Sequence, residues 1–218
     1  MSTKEFKHVH LWQLISSALP VGTFHYSQAL EQAISCGWIS DSEATQDWIE
    51  GVLVSSVAKV DLPLIARIYE AWRDRDVSKV YYWNQVSRAC RETAELREEE
   101  EQMGQALCRL AIDLDEPLPK KSLGYTAAFA VLSENNNIPL DDALLGYGWS
   151  WCENQVLAAV KLIPLGHREG QKILRIVSEE LSGIVSSALN CEEIGGTAPG
   201  FVLASARHET QYSRLFRS

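Results

Sequence analysis

Apolar positions recur along this chain at helical spacing almost from end to end, the pattern that turns one stripe of a helix toward a core. The first apolar segment, Leu11 to Ala18, is stopped by Pro20 and Gly22. A helix is expected from about Phe24 to Cys36, with Gly37 as its C-terminal stop. Asp41 or Ser42 is a good N-cap for the next, which carries Trp48, Val52 and Val57. Pro63 predicts a break or kink near Asp61-Leu62-Pro63, after which the pattern resumes through Ile65, Ile68 and Trp72.

The longest helix is expected after Asp76. Tyr82, Ala89, Leu96, Met103 and Leu110 share one position of a seven-residue repeat, and Val86, Thr93, Glu100, Leu107 and Leu114 share the other, so only Glu100 interrupts an apolar bundle seam. Glu100 there is either a satisfied buried carboxylate or a contact to a partner helix. Arg88 with Glu92 and Arg91 with Glu95 read as i,i+4 pairs on the solvent side. Pro117 and Pro119 end this segment. Ser122 can cap a helix from Leu123 to about Glu134, and Asn135-Asn136-Asn137 before Pro139 is a loop. The helix from Asp141 to about Ile163 is apolar nearly all round, which places it at the centre of a bundle. Its polar positions Ser150, Asn154 and Lys161 form one narrow stripe, so Lys161 either snorkels to the bundle end or makes a functional contact. A last helix is expected from about Glu169 to Leu189, with Leu174, Val177, Leu181, Ile184 and Ala188 on one face. Beyond Asn190 the periodicity fails. The expected architecture is therefore all-α: a single-domain helical bundle over residues 1–190, followed by a flexible C-terminal tail, 191–218, that binds a partner.

Composition narrows the function classes. The chain has 218 residues, enough for one sizeable core, and 46% are hydrophobic. A formal net charge of -9 argues against nucleic acid and against an anionic membrane surface. The first ten residues lack the apolar core of a signal peptide, and no stretch is apolar for the roughly 18 residues a membrane span needs, so a soluble cytoplasmic protein is expected. The five cysteines are widely spaced, with no CxxC, and read as reduced thiols.

No motif for catalysis is present: no phosphate-binding loop, no GxSxG and no HExxH. Glu100 apart, the acidic run Glu98 to Glu101 reads as a solvated helix face, and Cys152 as a core position rather than a nucleophile. His8 and His10 could share a metal ion, but a polar chain end explains them, and neither a metal site nor a cofactor is expected. The tail is more informative. Arg207, Arg214 and Arg217 stand beside Tyr212, Leu215 and Phe216, the composition of a segment that folds on binding.

Three stretches carry a resemblance: LWQLISSALPVGTFHYSQALEQAISCGWI at residues 11–39, ENQVLAAVKLIPLGHREGQKIL at 153–174 and RHETQYSRLFRS at 207–218, with a weaker match in RETAELREEEEQMG at 91–104. Together they resemble the UreF family of urease accessory proteins. His167 departs from the family's usual Gln and Ala29 from its usual Gly. The resemblance implies an all-α homodimer without catalytic activity. It implies a complex with the accessory protein UreH (also called UreD) and the GTPase UreG on apo-urease, through which nickel reaches the enzyme, with the tail ordered by UreH/UreD. It points to Phe24, Tyr26 and Glu31 near the dimer or partner surface, to Glu153 and Lys161 for control of the GTPase, and to Arg207, Tyr212, Arg214 and Phe216 in the tail. An alternative role is activation of GTP hydrolysis by UreG, since a cation supplied in trans stabilises developing phosphoryl charge.

Overall fold

A computed structural model describes residues 3–196 and 198–218, with side chains in the first helix from His8 onward; Met1, Ser2 and Thr197 lie outside the described residues. The fold is all-α, with no strand among the described residues. The α-helices run in the order α1 Thr3–Leu14, α2 Leu30–Ser35, α3 Ser42–Val52, α4 Asp61–Arg73, α5 Val77–Ala89, α6 Ala94–Asp113, α7 Tyr125–Asn135, α8 Leu140–Leu162, α9 His167–Leu189 and α10 Pro199–His208. A 3₁₀ turn at Thr23–His25 precedes α2, and a π turn at Leu53–Val57 links α3 to α4.

The centre is built from α4, α7 and α8. In α7 every residue from Thr126 to Ser133 is buried, as the near-continuous apolar sequence TAAFAVLS requires. Phe129 is fully buried at its middle; burying a side chain of that size contributes about 1.5–3 kcal/mol. Helix α7 packs on α4 and α6, and α8 lies along α9 and reaches α4 and α2. Helix α9 is amphipathic and buries Ile173, Leu174, Val177, Leu181, Val185 and Ala188.

Several stops fall where the sequence puts them. Asp41 caps α3, its carboxylate accepting from Ala44 N at 2.9 Å. Pro63 sits in the first turn of α4, where the missing N–H has no intrahelical partner to lose. Four expectations are corrected. The helix expected from Phe24 to Cys36 is shortened to α2, because Gln28 and Ala29 take left-handed backbone angles, φ 48° and 68°. The long helix after Asp76 is two helices, α5 and α6: Thr93 has extended backbone and caps α6 through its hydroxyl, ending a periodicity that continues across the break. Helix α7 starts at Tyr125 with Gly124 as its N-cap rather than Ser122.

The fourth correction is the tail. Residues 199–208 form α10, with Pro199 in the first turn, and Phe201 and Ala204 belong to the same apolar core as the helices before them. The segment that follows, 209–218, lies against the body as a strap, with Phe216 and Ser218 buried. A buried face at Phe201, Ala204, Ser205 and His208 (spacing i, i+3, i+4, i+7) carries it inward.

Glycine 104 is needed for close packing of α6 on the chain that leads into α7. A Cβ there would overlap the backbone of Leu123, Gly124 and Tyr125, which cannot yield as a flexible side chain does. Gly104→Ala is expected to destabilise the protein by about 1–3 kcal/mol, read as a lowered midpoint in urea with an unchanged slope.

Candidate functional site

The strap is received by a row of carboxylates. Glu31 on α2 accepts from the backbone N–H groups of Leu215 at 2.7 Å and Phe216 at 2.9 Å. Its carboxylate also lies 3.3 Å from Nε2 of His208. Glu95, in the first turn of α6, lies 2.6 Å from Nδ1 of the same imidazole and pairs with Arg214. Glu99, one turn further along α6, accepts from Ser218 Oγ at 2.6 Å. Charge runs the other way at the start of α6, where Glu209 of the strap accepts from Ala94 N at 2.7 Å, satisfying a free N–H at the positive end of the helix.

The turn before α2 aims the remaining contacts. Ser27 donates from both N and Oγ to the main-chain oxygen of Ser218, at 2.9 and 2.7 Å. Gln28 donates to Glu99 at 2.7 Å and accepts from Trp151 Nε1 at 2.6 Å, which links the strap to α8. Left-handed backbone costs a residue with a Cβ roughly 1–2 kcal/mol. The paired bonds of Ser27, Gln28 and Glu31 offset that cost.

Behind the row lies a polar cluster around Arg91. Its Nη2 is 2.5 Å from Asp61 on α4, 2.9 Å from Glu100 on α6 and 3.0 Å from Thr126 on α7. Burial pulls the Arg91 guanidinium down, but the two carboxylates outweigh it and hold the group well above its ordinary range. Glu100 also accepts from Ser87 Oγ at 3.1 Å and from Thr126 N at 3.0 Å, so it caps α7 from a neighbouring helix. It is thus a satisfied buried carboxylate. The expectation that Arg91 and Glu95 pair on the solvent side is corrected: Arg91 turns into the core and Glu95 turns to the strap, while Arg88 pairs with Glu101 at 2.8 Å. A cavity of about 70 Å³ adjoins the cluster, with Glu99, Tyr125 and Tyr147 in its wall.

The expected site residues fall into two groups. Tyr26, Glu31 and Phe216 are buried: Tyr26 donates to Gln102 at 2.9 Å, Glu31 holds the strap backbone, and Phe216 inserts beneath Lys161, whose Nζ lies 5.6 Å from its ring. Phe24 is 50% exposed, Tyr212 is fully exposed, and Lys161, Arg207 and Arg214 also reach solvent. Arg207 stacks 5.7 Å over the Trp38 ring. Glu153 is half-buried beside the cavity, and burial raises its carboxyl. The reading of the acidic run as a solvated face is corrected at Glu99, which is buried beneath Ser218, and nothing in the sequence set His208 or Gln28 apart from their surroundings. For His208 the apolar spacing of α10 was the available signal.

Other chemistry finds little support. Cys152 is buried and its thiol is pushed up to about 12 by burial, which removes the thiolate a nucleophile requires. His8 and His10 stand two residues apart on α1 and therefore point to different faces. Among the described residues no three His, Cys, Asp or Glu side chains converge to hold a metal ion, and no helix is long and apolar enough to cross a membrane.

The family model of UreF matches residues 39–177. A protein named urease accessory protein UreF from Alkalilimnicola ehrlichii is 47% identical over 215 residues, covering 95% of this chain and 94% of its own. Proteins of the same name from Teredinibacter turnerae and Chromohalobacter salexigens are 44% and 41% identical, covering 96% and 95% of this chain and 98% and 93% of their own.

Glu99 makes the site sensitive to pH. Burial raises its carboxyl from 4.5 to about 7, against the opposing bonds from Ser218 and Gln28 and the charge of Arg91. Because the folded value is the higher one, its contribution is complete below the ordinary carboxyl value and is lost as pH rises through about 7. Thermal melts of the wild type are expected to fall across that window, and Glu99→Gln, which keeps the shape without the charge, is expected to flatten the fall.

Proposed function

This chain belongs to the UreF family of urease accessory proteins, and from that premise we propose that it is a non-catalytic scaffold which, with UreH/UreD, recruits the GTPase UreG to apo-urease in the cytoplasm and supports nickel insertion. The observation that carries this reading is the likeness over nearly the whole chain to proteins named urease accessory protein UreF. Exposed side chains support it. Tyr212 is fully exposed, Leu215 is 65% exposed and Phe24 is 50% exposed, and Arg207 and Arg214 reach solvent as well. Exposed aromatics with arginine, held on a packed backbone, are the makings of an interface centre. Tyr26, Glu31 and Phe216 act through the strap they hold in place. In this reading the chain pairs with a second copy, and Lys161 and Glu153, at the far end of α8 and beside the cavity, carry the control of UreG. Lys161 is exposed at the end of α8, so it is also the cation available for the second reading, direct activation of GTP hydrolysis.

Co-expression with UreH and UreG, followed by size-exclusion chromatography with light scattering, tests the scaffold. One particle holding all three proteins and two copies of this chain is expected. Failure to associate with UreH under any condition tried defeats the proposal. Increased GTP turnover by UreG with this protein alone selects the activating reading instead.

Tyr212→Ala and Arg214→Ala separate surface from strap. Tyr212 packs on nothing in the chain, so its loss is expected to weaken UreH capture about tenfold or more while leaving the melting temperature unchanged. Arg214 also pairs with Glu95, so its loss is expected to weaken capture and loosen the strap together. Wild-type capture by both variants removes the strap from the interface.

A further inference from the structure

We propose that His208 is a proton-operated latch for the C-terminal strap: protonated, it ties α10 and the strap to α2 and α6, and its deprotonation releases the strap from its cradle. Only the consequence for partners rests on the scaffold reading; the latch is a property of this chain alone.

The argument is one of hydrogen-bond inventory. His208 has no exposed surface, and both ring nitrogens face carboxylate oxygens, Nδ1 toward Glu95 at 2.6 Å and Nε2 toward Glu31 at 3.3 Å. A carboxylate only accepts, and a neutral imidazole donates from one nitrogen only. Both contacts are made together by the imidazolium alone. On losing the proton, one nitrogen presents a lone pair to a carboxylate with no water to separate them, which is among the costlier arrangements in a low-dielectric interior.

Glu31 and Glu95 are shared between latch and strap, so the penalty falls on the strap. Glu31 holds the N–H groups of Leu215 and Phe216, and Glu95 holds Arg214. The charged groups around the imidazole are Glu31 from α2, Glu95 from α6, Arg214 from the strap through Glu95, and Glu209, which is turned to the start of α6. Arg207, the preceding residue, is turned away onto Trp38. The arrangement brings one cation on α10 and one on the strap to two carboxylates. Removing the imidazole proton leaves a single positive charge for both acids. Protonation therefore favours the docked strap, and docking weakens as pH rises.

Backbone hydrogen exchange of Leu215 and Phe216 reads the latch directly, because both N–H groups end on Glu31. The full chain is used, with far-UV dichroism at each pH to verify that the bundle stays folded. Glu99→Gln serves as the parent, so that the Glu99 titration is absent. Between about pH 5.5 and about pH 8.5, protection of these two amides, corrected for intrinsic exchange, is expected to fall by up to about tenfold per pH unit, the limit for one linked proton. Adding His208→Gln is expected to give lower protection at the acid end and no slope. Glu95→Gln, with its helix content checked by the same dichroism, takes one anion from the imidazolium and is expected to move the fall to lower pH. Flat protection in the parent, an unchanged slope with His208→Gln, or an unmoved transition with Glu95→Gln overturns the proposal. UreH capture is measured separately: amides that respond to pH in a chain that fails to bind UreH uphold the latch and defeat the scaffold.

Discussion

The buried guanidinium of Arg91 is the constraint around which the other helices are placed. It sits in a short break between α5 and α6 and reaches Asp61 on α4, Glu100 on α6 and Thr126 on α7. A charge in the core is tolerable only when paired and fully bonded, and losing one partner of such a cluster costs about 3–5 kcal/mol. The requirement is mutual. Two carboxylates beneath a helix bundle need a cation, and the cation can arrive only if the long helical repeat is interrupted so that Arg91 turns inward. Glu100 then spends its second oxygen on the Thr126 N–H in the first turn of α7, and the glycine at 104 allows that loop to come near enough for the bond.

On the other face of α6 the same helix presents Glu95 and Glu99 to the strap. The two sides share a logic: one helix rich in acids, too charged to be a plain core element, meets Arg91 on one side and Arg214 and the His208 ring on the other. This makes the C-terminal segment part of the electrostatic balance of the body. Such an element is held by few, strong, charge-assisted contacts instead of by a large apolar area, and contacts of that kind respond to protons and salt far more than packed hydrocarbon does. An element attached in this way keeps Tyr212 and Leu215 exposed on an ordered backbone.

The amino-acid pattern alone determined the all-α class, most helix ends and the family. Each rests on local chemistry: Pro63 is tolerated only in the first turn of a helix and so marks where α4 begins, Asp41 caps because its own backbone neighbours supply the N–H, and the apolar run of α7 must be buried. The motif stretches at 11–39, 153–174 and 207–218 are likewise properties of contiguous residues. The tertiary structure decided what depends on partners distant in the chain. Whether Glu100 was bonded, whether Arg91 faced water, and whether His208 was a tail residue or a buried side chain between two acids turned on contacts spanning from nine residues to 177. A repeat of seven runs through the break at Cys90–Thr93 because periodicity records which face is apolar, not whether a charge on the other face is needed inside. The strap is the clearest case: its short polar sequence holds too little apolar surface to fold by itself, and its path is set by acids on α2 and α6 that no spacing rule connects to it.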